Sequence, residues 1–126
     1  MQEKFKALRR IIEKFEQMLA QPKTEATQDS SIKRFELSYE LSWKVLQAYF
    51  RIQGSTYNTP RKNFEAAFSV GLTGDNVDIK SLIEDRNLTT YIYAEDFADE
   101  VYKRLSAYLE FFQSIYQALE KEINLL

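Results

Sequence analysis

The sequence contains neither cysteine nor histidine, and only three glycines, two prolines and one tryptophan in 126 residues. Without cysteine there is no disulfide framework, no thiol nucleophile and no thiolate metal site. Without histidine the usual proton shuttle near neutral pH is missing as well. Chemistry carried by this chain is left to carboxylates, Lys, Arg, Tyr, Ser and Thr, which argues against an independent enzyme. Long apolar runs are also missing. No stretch approaches the roughly 18 consecutive apolar residues of a membrane span. The opening Met1-Gln2-Glu3-Lys4 carries an acid and passes directly into helical periodicity, so it does not read as a signal peptide. The expectation is a cytoplasmic protein with no membrane partner. Neither sign of charge is in large excess: a net −2 with 29% charged residues describes a mixed surface rather than a strongly basic nucleic-acid binder.

What is present is a core. Hydrophobic residues make up 44% and aromatics 14%, enough to bury an interior in one domain, expected to span residues 1–126, without staples. Phe5, Leu8, Ile12, Phe15 and Leu19 recur at three- and four-residue steps and share one helical face. Pro22 and the polar run to Gln28 end that helix, and Asp29, Ser30 or Ser31 is expected to cap the next. Ile32, Phe35, Tyr39, Trp43, Leu46 and Phe50 form a second stripe, widened by Leu41 and Tyr49, with Gly54 placed as a left-handed cap. Glu40 and Lys44 stand one turn apart in the favourable order for an ion pair.

Thr59-Pro60 opens a short third helix with Phe64, Ala67 and Phe68 on its face and Gly71 near its end. Asn76 or Asp78 starts a fourth, carrying Ile79, Leu82 and Ile83 and fading near Leu88, where Thr89-Thr90-Tyr91-Ile92-Tyr93 is a poor helix former. A long last helix from about Ala94 sets Phe97, Val101, Leu105, Tyr108, Phe112, Ile115 and Leu119 on one seam. Adjacent residues point about 100° apart on a helix, so of Phe111 and Phe112 one is expected at a subunit interface. The fold class is all-α, an antiparallel up-and-down bundle of four to five helices.

Two segments offer chemistry. In Glu84 to Tyr93 the side chains of Arg86, Asn87, Thr89, Thr90, Tyr91 and Tyr93 gather between two helices. Arg is permanently charged and forks onto phosphate or carboxylate, and the amide and hydroxyls could complete a polar pocket. The competing reading is a packed turn in which Arg86 pairs with Asp85, Glu84 or another acid. In the second helix Arg34, Glu36, Glu40 and Lys44 lie beside Trp43. Paired carboxylates can exchange protons, but a solvated, ion-paired face explains the same residues. Gly71-Leu72-Thr73-Gly74-Asp75 lacks both the spacing and the lysine of a phosphate loop.

The run Asp29-Ser30-Ser31-Ile32-Lys33-Arg34-Phe35-Glu36-Leu37-Ser38-Tyr39-Glu40-Leu41-Ser42-Trp43-Lys44 resembles the signature helix of the nucleotidyltransferase substrate-binding proteins, small bundles similar to HEPN domains. Pro60-Arg61, Ala67-Phe68, Gly71-Leu72 and Arg86-Asn87-Leu88-Thr89-Thr90-Tyr91-Ile92-Tyr93 follow in the family's order, and the resemblance covers nearly the whole chain. It implies a homodimer that binds a small nucleotidyltransferase, commonly as a two-gene toxin–antitoxin pair. This chain would hold no cofactor or metal; the partner would use ATP and Mg.

In related HEPN toxins an Arg followed shortly by a His forms a ribonuclease site shared across the dimer. Here Arg86 matches the Arg, and Tyr91 stands where the His would be. A phenol with an ordinary pKa of about 10 is a poor proton shuttle near neutral pH, so RNA as a substrate and ribonuclease chemistry are the alternative reading. Tyr93 matches the tyrosine that the partner adenylylates, a role that needs positioning and a base supplied by the partner. A third reading is a purely structural dimerisation adaptor.

Overall fold

The computed structural model describes residues 1–91 and 95–125, apart from the side chains of residues 95, 124 and 125. Its helices are α1 (Gln2–Leu19), α2 (Glu25–Ile52), α3 (Pro60–Ser69), α4 (Ile79–Leu88) and α5 (Glu95–Leu125), with a 3₁₀ turn, Thr89–Tyr91, after α4. The all-α bundle expected from periodicity is what forms.

α1 and α2 make an antiparallel hairpin. Residues 25–31 belong to α2 itself, so none of Asp29, Ser30 and Ser31 caps it; Thr24 does. The Thr24 hydroxyl accepts from the Thr27 amide at 3.1 Å, and the Thr27 hydroxyl accepts from the Thr24 amide at 2.7 Å. This reciprocal box satisfies two donors at the helix start, and threonine at both positions hides it from a search for an acid or amide at the second.

The far end of α2 closes on Gly54, at φ +93°. There the Ser55 amide donates to the Phe50 carbonyl at 2.9 Å and the Gly54 amide to Arg51 at 3.0 Å. The same pair of bonds recurs at Gly71 (φ +80°), from Leu72 to Ala67 at 2.9 Å and from Gly71 to Phe68 at 3.2 Å. Both are left-handed helix stops that favour glycine.

α3 starts at the Thr59 cap with Pro60 as its first residue. The Asn63 amide ties it back to the carbonyls of Tyr57 and Thr59, while Gln47 of α2 also donates to Tyr57. α5 runs parallel to α2. Gln28 near the start of α2 donates to Asp99 near the start of α5 at 2.8 Å, and Tyr49 near its end reaches Glu122 at 3.4 Å.

The core is continuous and aromatic. Phe35 stacks on Tyr108 at 5.2 Å, Tyr39 meets Phe64 edge-on at 5.3 Å, and Phe5 stacks on Tyr116 at 4.6 Å. Phe111 and Phe112 are both fully buried, against the expectation that one would face a second subunit. Phe111 packs on Phe64 of α3 and Phe112 on Phe35 of α2. α5 packs against several helices at once, and so it buries a wider arc than a single stripe.

Two other expected core residues turn outward. Phe68 is 50% exposed, because Phe64 and Ala67 already fill the inner face of α3. Phe97 is 45% exposed, and Ala98 takes the buried place at that turn. Trp43 is partly buried against the core.

Candidate functional site

α4 carries the first part of the polar segment, Glu84 to Leu88. Asp78 caps it, accepting from the Lys80 amide at 3.2 Å and from the Ser81 hydroxyl at 2.9 Å. Leu82 is buried and fixes the inner face. One turn later come Asp85 and Arg86, which leave the helix in different directions.

Arg86 turns toward α2. Its Nε lies 3.4 Å from Oε1 of Glu40, an ion pair whose angle is not that of a hydrogen bond, with the two side chains 24% and 36% exposed. Its Nη1 donates to the Thr89 hydroxyl at 3.0 Å, and that hydroxyl donates to the Arg86 carbonyl at 2.6 Å. The guanidinium also sits over the ring of Tyr39, 6.0 Å from its centre. Glu40 is held in turn by the Trp43 indole, which donates to its Oε2 at 3.1 Å. The guanidinium edge bearing Nη2 takes part in neither polar contact.

Burial pushes the Tyr39 phenol up to about 12, with Glu40 adding to the rise and Arg86 opposing it. Tyr39 is therefore a neutral phenol near pH 7, a platform for the cation and no base.

Asp85 turns toward α5 and is buried, at 3% exposure. Arg104 grips it with two bonds, Nε to Oδ2 at 2.6 Å and Nη2 to Oδ1 at 2.8 Å, and the Tyr108 hydroxyl donates to Oδ2 as well. Burial raises the Tyr108 phenol above its ordinary range, and its bond to Asp85 raises it further. The same carboxylate, chiefly through its hydrogen bonds, raises the Arg104 guanidinium. Of the acids expected to pair with Arg86, Asp85 is committed to Arg104, and the partner is instead another acid, Glu40 of α2.

Of the other candidates, Asn87 and Thr90 are exposed beside Arg86, and the Thr90 hydroxyl donates to the Asn87 carbonyl at 2.8 Å. Tyr91 is half exposed, with its ring 6.4 Å from that of Phe97. Tyr93 lies outside the described residues.

The pairing expected between Glu40 and Lys44 does not form, because Arg86 and the indole occupy Glu40. Lys44 lies instead over the Trp43 ring at 5.9 Å. Glu36 faces Lys33 at 3.9 Å, and the half-buried Arg34 keeps a buried Nε without a hydrogen-bond partner. No contact among the described residues joins Arg34, Glu36 or Lys44 to Arg86. Arg86, Thr89 and Glu40 come together; the rest of the second-helix set does not.

Sequence reasoning passed over Asp85, Arg104 and Tyr108 as a unit. Tyr108 fell in a core stripe, Arg104 drew no reading, and no local spacing links either to Asp85. A buried-stripe position filled by tyrosine was the one available signal, since a buried hydroxyl needs a partner.

Residues 3–121 match the model of the family described as nucleotidyltransferase substrate binding protein like. The chain belongs to this family. No curated protein matches its sequence. Among solved structures, a crystal structure from Thermus thermophilus is similar at 26% identity and a TM-score of 0.80, covering 89% of this chain and 98% of that one. A Haemophilus influenzae protein, said to reveal the fold of a substrate binding domain of a nucleotidyltransferase, shares 22% identity at a TM-score of 0.77. It covers 92% of this chain and 98% of its own, and at that identity it speaks for the fold alone.

Arg86 is the cation of the Arg-Asn-Leu-Thr run. Among the described residues no helix is long and apolar enough to cross a membrane. Nor do three or more carboxylates among them converge as a metal site requires.

Proposed function

We propose that this chain is the non-catalytic, substrate-binding partner of a small nucleotidyltransferase, acting as a homodimer in a cytoplasmic two-gene toxin–antitoxin pair, with Tyr93 as the group that receives AMP. The observation that carries the reading is the setting of Arg86: a fixed cation at the end of α4, with hydroxyls and an exposed amide around it, seven residues before Tyr93 in a chain of this family.

ATP and Mg belong to the partner in this scheme. The Tyr93 phenol oxygen attacks the α-phosphorus of ATP, the new oxygen–phosphorus bond forms as the bond to pyrophosphate breaks, and pyrophosphate leaves. The phenolic proton passes to a base on the partner. Arg86 meets the negative charge that builds on the transferred phosphoryl group. Its worth there is electrostatic, and it does not move a proton. The ion pair with Glu40 holds the guanidinium half-neutralised until a phosphate competes for it.

Co-expression with the partner nucleotidyltransferase tests this. One AMP is expected on the tryptic peptide covering residues 87–103, and its fragment ions should place it on Tyr93. Tyr93→Phe should abolish the modification. Unmodified peptide beside a partner that is active on other substrates would remove the acceptor role.

A further inference from the structure

Asp85 and Arg86 are neighbours on the last turn of α4, yet different helices grip them. Consecutive helical side chains diverge by about 100°, so one anchor points to α5 and the other to α2. A single anchor would leave the turn free to roll about its axis; two anchors in divergent directions stop the roll. The α5 anchor is the stiffer of the two. The Asp85 carboxylate accepts two bonds from Arg104, at 2.6 and 2.8 Å, and a third from Tyr108. Tyr108 cannot swing, because its ring is stacked on Phe35 at 5.2 Å and it is only 3% exposed. The α2 anchor is looser, a 3.4 Å ion pair between partly exposed groups.

We propose that Asp85, Arg104 and Tyr108 form a positioning device that sets the direction in which Arg86 leaves α4. Its functional meaning rests on the reading of Arg86 as the group that meets the transferred phosphoryl. None of the three touches substrate; they act through Arg86. The carboxylate next to Arg86 in sequence is withheld from it by Arg104, and this keeps the Arg86 cation for Glu40 and for an incoming anion. The charge of Arg104 alone is not what matters here. The fork is, because a lysine at 104 cannot span both carboxylate oxygens.

The test uses the whole chain carrying Tyr108→Phe or Arg104→Lys, with two readouts. The Arg86 side-chain Nε–H resonance, assigned by its loss in Arg86→Ala, is expected to shift and broaden in both variants while circular dichroism shows them folded. The kcat for AMP transfer by the partner is expected to fall on the order of 10- to 100-fold, as displacement of a charge-stabilising group does, with the KM for the chain unchanged. An unmoved Arg86 resonance and unchanged kcat, together with a lowered Tm, would overturn the proposal and leave the cluster a structural ion pair. If the wild-type chain receives no AMP at all, the functional reading falls by itself, and the Arg86 resonance alone then upholds or overturns the positioning.

Discussion

Replacing Asp85 by alanine should be among the costliest single substitutions in the protein. The change strips Arg104 of a bidentate partner at 2.6 and 2.8 Å and leaves the Tyr108 hydroxyl without its acceptor. Removing one member of a buried ion pair costs about 3–5 kcal/mol, because the other charge stays behind. Here the Arg104 side chain is 41% exposed against 5% for Asp85, so the stranded cation recovers water and Glu100 at 3.8 Å, and the cost falls toward the lower end. The stranded phenol has no such escape, and an unsatisfied buried donor costs about 1–3 kcal/mol. The sum comes to about 4–6 kcal/mol, a large part of the roughly 5–15 kcal/mol that holds a domain of this size.

Tyr108→Phe, which removes the hydroxyl and keeps the ring on Phe35, should cost only about 1 kcal/mol. In the Asp85→Ala background that second change should cost nothing or restore some stability, because no acceptor remains for the hydroxyl. Urea unfolding of the four chains gives the cycle directly, through midpoints at constant slope. A loss under about 1 kcal/mol for Asp85→Ala, or strict additivity with Tyr108→Phe, would refute the reasoning.

Stability should fall as pH rises above about 10, the ordinary tyrosine value. Tyr39 is raised to about 12 and Tyr108 is raised as well, so the folded chain keeps phenolic protons that the unfolded chain has lost. The folded state binds more protons in that window, so unfolding becomes easier by about 1.4 kcal/mol per pH unit for each such phenol. Urea midpoints between pH 8 and 11 measure it, and a flat profile would contradict the burial of both rings. Gly54→Ala should cost about 1 kcal/mol by thermal melting, although no atom lies within 4 Å of the added Cβ, because φ is +93° there. No loss would mean that the α2 stop relaxes to an ordinary turn.

The helices were legible because their signals are local. Phe5, Leu8, Ile12 and Phe15 repeat at helical spacing, and each is buried. Thr59-Pro60 and Asp78 announce helix starts through backbone chemistry confined to one turn. The cap of α2 was misplaced for the same reason in reverse. The polar run to Gln28 looks like a loop, yet packing makes Gln28 and Ser31 interior, and Gln28 bonds Asp99 of α5.

The site was legible only in part. Arg86 and Thr89 are three residues apart and their contact is written into the segment. Glu40 is far away in sequence, and its nearest cation by spacing, Lys44, was the wrong partner. The Asp85 cluster joins residues 19 and 23 positions apart across two helices, where only packing decides who meets whom. Which of two adjacent phenylalanines faces a neighbour was equally beyond local pattern, since both do.

The most direct measurement is the rate of AMP transfer from ATP to the purified chain by its partner nucleotidyltransferase, compared for the wild type, Arg86→Ala and Tyr93→Phe. The account predicts no transfer to Tyr93→Phe and a loss on the order of 100-fold for Arg86→Ala in a chain that remains folded, the size expected when one donor to developing phosphoryl charge is removed. Transfer to Arg86→Ala at the wild-type rate, or transfer that persists in Tyr93→Phe, would contradict it.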